Sequence, residues 1–120
     1  MAGNLLQHEN SSAKTFKHTG FTSTITSSFS SPGESPGGAG WDGTNYLSTD
    51  FSLDKLYRHT GFSSTISSSF SSASTVPFGI TWDGTNVMEI DQAGAVYRYA
   101  GFTSTISSSF SSPSTQGNGL

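Results

Sequence analysis

The sequence predicts an all-β fold of three consecutive four-stranded antiparallel units, and three observations carry that prediction. The first is a repeat. Trp41-Asp42-Gly43-Thr44-Asn45 returns unchanged as Trp82-Asp83-Gly84-Thr85-Asn86, 41 residues further on. The second is composition. Ser and Thr account for 40 of the 120 residues and Phe for nine, while charged residues make up only 11%. Disordered chains show the opposite balance, with few aromatics and a high net charge. The third is pattern: short runs of β-compatible residues stand between clusters of Gly, Pro and Ser.

The repeat extends well beyond the five-residue box. Phe16-Lys17-His18-Thr19-Gly20-Phe21 aligns with Tyr57-Arg58-His59-Thr60-Gly61-Phe62, and that with Tyr97-Arg98-Tyr99-Ala100-Gly101-Phe102. The second offset is one residue shorter than the first, and the deletion falls in a loop between Asp91 and Tyr97. The run Phe62 to Ser72 is nearly copied at 21–31 and 102–112. One domain, 1–120, therefore divides into units of approximately 1–40, 41–81 and 82–120.

Within a unit the first strand is Phe78 to Trp82, closed by Asp83-Gly84, a two-residue hairpin signal because Gly tolerates positive φ. The second is Asn86 to Asp91, with counterparts at Asn45 to Asp50 and Asn4 to Glu9. The third, Lys55 to Thr60, is rich in aromatic and β-compatible residues. The fourth, Phe62 to Ser71, spaces Phe62, Ile66 and Phe70 by four, which places all three on one face of an extended strand. Ser30 to Gly40, Ser71 to Pro77 and Ser111 to Gly119 read as linking loops.

Four strands in about 40 residues is the period of a β-propeller blade. Residues 79–86 (Gly-Ile-Thr-Trp-Asp-Gly-Thr-Asn), then Asp91, then Val96-Tyr97-Arg98, resemble the repeats of NHL- and YVTN-type six-bladed propellers. The resemblance covers all three units and implies an architecture more than a function. A weaker likeness is to short environmental bacterial or phage repeat proteins, natural or engineered. The second-strand Tyr of the pattern is Leu47 and Met88 here, and Ala39 stands where Ile80 does.

The phase of the repeat at the two ends predicts self-assembly. Met1 aligns with Asp42 and Asp83, Asn4 with Asn45 and Asn86, and Leu120 with Ile80. Gly119-Leu120 of one copy is thus in register with Met1-Ala2-Gly3-Asn4 of another. Propellers have about 4–8 blades, so three blades imply a homodimer closing six, with a nine-bladed trimer as the alternative. Closure would bury blade faces and strand edges that an isolated arc leaves in water.

Several residues could carry binding chemistry. Trp41, Asp42 and Asn45, with Trp82, Asp83 and Asn86, could stack on a sugar and bond its hydroxyls; the same residues would equally make a turn, with Trp packed between blades. Tyr57, Arg58 and His59, with Tyr97 and Arg98, share repeat positions and complete the candidate ligand set. Glu9, Asp50 and Asp91 occupy one slot, either around a central cation or as acceptors for the next turn's N–H groups. His18, His59 and Tyr99 share another, which suits a half-buried cross-strand partner better than a catalyst. Lys17, Arg58 and Arg98 read as a solvated row beside Asp54 and Glu89.

No Gly-x-Ser-x-Gly elbow is present, no cofactor is implied, and the carboxylates lack the asymmetry of a calcium-dependent lactonase or phosphoesterase, so an enzyme is not expected. Five Lys and Arg and a net charge of −3 argue against nucleic acid. No apolar run of about 20 residues is available to span a membrane, and no secretion signal is recognisable at residue 1 onward. The expected function is a self-assembling binding module with carbohydrate as the ligand class. The alternative is a purely structural component of a virion, an appendage or a longer repeat protein.

Overall fold

The structure, a computed structural model, describes residues 5–9, 12–73 and 76–113. Met1, Ala2, Gly3, Asn4, Gly119 and Leu120, assigned above to subunit closure, lie outside the described residues. Three antiparallel sheets follow one another along the chain, each a simple meander. The first contains β1 (Leu6–Glu9), β2 (Lys14–His18) and β3 (Ile25–Ser30). The second contains β4 (Pro36–Trp41), β5 (Tyr46–Asp50), β6 (Lys55–His59) and β7 (Ile66–Ser71). The third repeats it as β8 (Pro77–Trp82), β9 (Val87–Asp91), β10 (Ala95–Tyr99) and β11 (Ile106–Ser111). The first sheet thus has three strands among the described residues where four were expected. Its strands correspond to β5, β6 and β7, and the stretch equivalent to β4 would align upstream of residue 1.

Each hairpin has a chemical reason. Between β4 and β5 the tip is Gly43-Thr44, closed by Asp42 N–H donating to the Asn45 carbonyl at 3.1 Å, and Gly43 takes φ +100°. The β5–β6 turn needs one left-handed residue, supplied by Asp54 (φ 54°) in the second sheet and by Ala13 (φ 53°) in the first. In the third sheet the turn is one residue shorter, as the offset predicted, and Gly94 (φ 94°) takes the left-handed place.

The turn before each outer strand explains much of the Ser and Thr content. Ser63 Oγ donates to the Thr60 carbonyl at 2.7 Å and accepts from Thr65 N–H at 3.3 Å, while Thr60 N–H donates to the Thr65 carbonyl at 2.8 Å. Thr22 and Thr103 make the same bonds in their units. These local bonds compete with the ladder, and Gly61 adopts φ 62°. The outer strand therefore starts at Ile66, not Phe62. This corrects the expected shared face. Phe62 sits in the turn and packs edge-on against Phe29 of the preceding sheet, centroids 4.8 Å apart. Phe70 packs against Phe102 of the following sheet, also at 4.8 Å.

A second correction concerns 30–40, read as a loop from its glycines. Residues Pro36–Trp41 form the inner strand β4. The glycines are there because β4 lies backbone-to-backbone on β8. A Cβ on Gly38 would collide with the Phe78 carbonyl oxygen, and one on Gly40 would come within 3.0 Å of the Ile80 carbonyl oxygen. Thr49 fastens the two strands together, accepting from Gly38 N–H at 2.8 Å and donating to the Phe78 carbonyl at 3.2 Å.

The core lies between sheets, and the middle sheet, whose strand β5 is buried throughout, is covered on both faces. Leu47, Leu56, Ile80, Val87 and Tyr99 form its centre, with Phe70, Trp82, Tyr97 and Phe102 packed around them. Full burial of an aliphatic side chain of this size contributes about 1.5–3 kcal/mol.

Candidate functional site

The repeated box is a turn whose polar groups are already engaged. Asp42 Oδ1 accepts from Thr44 N–H at 2.9 Å and Asn45 N–H at 2.7 Å, and Asp83 does the same for Thr85 and Asn86. Those amide donors, first Asn86 and then Thr85, hold the Asp83 carboxyl below its ordinary value. Asn45 Oδ1 reaches across the sheet to accept from Gly61 N–H at 2.9 Å, and Asn86 Oδ1 accepts from Gly101 N–H at 2.9 Å. Trp82 packs against the core, and the indole N–H of Trp41 is buried with no acceptor among the described residues.

The carboxylate slot also serves turns. Asp50, 1% exposed, accepts from Ser52 N–H and Leu53 N–H through Oδ1 and from Ser35 N–H through Oδ2. Asp91 Oδ1 accepts from Ala95 N–H at 2.8 Å, and Glu9 caps Ser12.

The His/Tyr slot is a cross-strand partner, as expected, but fully buried. His59 bonds Ser48 Oγ through Nε2 at 2.9 Å and the Ser63 carbonyl through Nδ1 at 2.7 Å. His18 makes the equivalent pair with Gln7 and Thr22. Burial lowers the His59 pKa, opposed in part by the Ser63 carbonyl. In the third unit Tyr99 donates to Glu89 and accepts from Ala73 N–H of the preceding sheet at 3.0 Å. Glu89 is therefore no member of a solvated row. It is 0% exposed and bonded by Ser72 and Tyr99. Burial raises its pKa despite those two donors, and burial followed by the Glu89 bond raises that of Tyr99.

The cationic row is corrected too. Lys17 Nζ lies 5.4 Å from the centroid of Phe62, and Arg58 Cζ lies 5.1 Å from that of Phe102. Each cation thus reaches forward onto the aromatic ring of the next sheet, and each such ring stacks edge-on against a Phe of the sheet behind it. The result is a clasp of cation, Phe and Phe at both internal junctions. Of the candidate ligand residues, Tyr57 is buried at 8% exposure, and burial raises its pKa, with the Asp50 charge adding to the effect.

Tyr97 and Arg98 share a hollow. It measures about 130 Å³ on the outer face of the third sheet, with Met88, Val96, Ser108 and Phe110 completing the lining. On the opposite face of the molecule, Leu5, Phe21, Thr22 and Ser23 border a second, shallow hollow of about 370 Å³. Sequence reasoning selected neither Phe21 nor Phe110, although both stand at clasp positions of the repeat.

No protein-family model matches the sequence, and no curated protein matches it significantly. Solved structures do. Hydrazine synthase from Kuenenia stuttgartiensis superposes with a TM-score of 0.74 at 12% identity, over 98% of this chain and 35% of that one. BamB from Moraxella catarrhalis gives 0.63 at 14% identity, over 93% and 34%. The WD40 repeats of RRP9 give 0.67 at 10% identity, over 95% and 37%. The chain spans about a third of each of these structures. At such identities the likeness concerns fold alone: the three sheets are consecutive blades of β-propeller type.

Proposed function

We propose that the chain is a non-enzymatic assembly module, a run of propeller blades whose two outer faces associate with further blades to complete a ring. One observation carries this reading. The side chains that pack at the internal junctions recur on both outer faces in exposed form: Phe21 is 90% exposed and Phe110 65% exposed, whereas their counterparts Phe62, Phe102, Phe29 and Phe70 are in ring contact. Two copies would make a six-bladed ring, and three a nine-bladed one. The non-enzymatic character is supported by the engagement of Asp42, Asp50, Asp83 and His59 in structural bonds. The same engagement argues against the carbohydrate reading of the box. Protein association through blade faces is the binding mode that these surfaces favour. Sedimentation velocity at micromolar concentration tests it. The expected species has twice the 12.6 kDa chain mass; a lone 12.6 kDa species would sink the proposal.

A further inference from the structure

The internal junctions specify what each outer face would receive. At the first, Phe62 lies between Lys17 Nζ at 5.4 Å and the ring of Phe29 at 4.8 Å. At the second, Phe102 lies between Arg58 Cζ at 5.1 Å and the ring of Phe70 at 4.8 Å. In repeat terms the inserted ring comes from the turn after β2, β6 or β10, and the receiving pair comes from the middle and outer strands of the blade before it. Arg98 and Phe110 are the receiving pair of the third blade, and both line its 130 Å³ hollow. Phe21 is the inserted ring of the first blade, and at 90% exposure it has nothing to enter. The two outer faces are therefore the two halves of a contact that the molecule already makes twice.

We infer that Phe21 of one copy inserts into the Arg98–Phe110 hollow of a second copy, with the guanidinium over its ring. This rests on the ring-closure reading above and names its partner as this same chain, joined head to tail. The argument is one of complementarity. A cation over an aromatic face is favourable, increasingly so once water is excluded, and edge-on aromatic pairs add to the burial of their area. The hollow supplies both partners at the places where the internal junctions supply them. On its own blade Arg98 Nε lies 3.4 Å from Ser107 Oγ, and its charge acts on the exposed Asp83 carboxylate. Leu5, 39% exposed, borders Phe21 on the inserting face, while Val96 and Met88 border Phe110 on the receiving one. The residues that border the Phe21 hollow, Leu5, Phe21, Thr22 and Ser23, carry no charge, so they set none against Arg98. A face-to-face pairing of two inserting faces would instead set Phe21 against Phe21 and leave Arg98 in water.

The test uses the whole chain and two exposed substitutions that leave the fold in place, as thermal unfolding of each variant would verify. Phe21→Lys spoils the inserting face by setting a cation against Arg98. Phe110→Lys spoils the receiving face. Each variant alone is expected to raise the concentration for half-dissociation at least about a hundredfold, as loss of a central aromatic anchor does. Mixing the two variants in equal amounts is expected to restore association, more weakly than wild type. The intact receiving face of Phe21→Lys then meets the intact inserting face of Phe110→Lys, one good junction out of two. Native mass spectrometry reads the species directly. If wild type associates and the single variants associate equally well, the Phe21 contact is wrong while ring closure stands. If the single variants dissociate and their mixture stays monomeric, head-to-tail pairing is wrong, and a face-to-face contact or another occupant takes its place. A monomeric wild type overturns both proposals together.

Discussion

Asn45 shows how little a residue's type reveals until its partner is known. Its side-chain carbonyl holds the turn at Gly61 against the start of β5, where Tyr46 N–H also donates to the Gly61 carbonyl at 3.0 Å. Asn45→Ala leaves the part-buried Gly61 N–H without that acceptor and is expected to cost about 1–2 kcal/mol in denaturant unfolding. Thr44→Ala, whose backbone bond to Asp42 survives, is expected to cost far less. Two buried titratable groups act in opposite directions. His59 has a lowered pKa in the folded chain. As pH falls through the ordinary value of 6.5, the unfolded chain takes up a proton that the native chain resists, and stability drops. Glu89 has a raised pKa. As pH rises above its ordinary value of 4.5, the unfolded chain releases a proton that the native chain retains, and stability again drops. Glu89→Gln keeps an acceptor oxygen for one of Ser72 and Tyr99, sets an amide donor against the other hydroxyl, and loses the charge. Its melting temperature is expected to gain on wild type as pH rises above 4.5. A constant difference across that range would contradict the account.

At the scale of the element, inner strands are where packing overrides propensity. Glycine is a poor strand former, so Pro36–Trp41, with three glycines in six residues, reads as linker from composition. The reason for those glycines lies in another blade, at the Phe78 and Ile80 carbonyls, and no local pattern carries it. Gly38→Ala is expected to cost about 3 kcal/mol or more by driving a Cβ into the Phe78 carbonyl at the blade junction. Gly43→Ala meets nothing within 4 Å and bears only the strain of its positive φ, about 1–2 kcal/mol. Equal costs measured by chemical denaturation would argue that β4 does not abut β8. Middle strands were legible to within a residue, because Lys55–His59 and Ala95–Tyr99 combine aromatic, aliphatic and long side chains and a Gly follows each two residues on, at Gly61 and Gly101. Outer strands were legible in their second half only. Period-two spacing of Phe62, Ile66 and Phe70 suggested one face, but the hydroxyl bonds of Ser63 convert the first four residues into a turn and send Phe62 and Phe70 to opposite neighbours.

For the whole molecule, the repeat predicted blade number and order directly, because offsets of 41 and 40 residues are a property of the sequence alone. The site was less visible. In the repeated box Asp42, Asn45 and their copies hold turns, one of the two readings the sequence allowed, and Trp82 packs against the core. The clasp escaped notice because its members, such as Arg58 and Phe102, lie 44 positions apart in different units. The clasp separates two otherwise equivalent arginines. Arg58→Ala removes a cation from Phe102 within the chain and is expected to lower unfolding stability by about 0.5–1 kcal/mol. Arg98→Ala is expected to leave the stability of the isolated chain unchanged and to weaken association instead; the reverse pattern would contradict the assignment of faces.

The claim that three blades close a ring with a second copy has a direct geometric measure. The single chain has a Cα radius of gyration of 13.4 Å, and a compact two-chain assembly of this size has one of about 18 Å. Small-angle X-ray scattering at micromolar to millimolar concentration is expected to give the larger value, with a forward intensity of two chains. A concentration-independent radius near 13.4 Å would contradict ring closure.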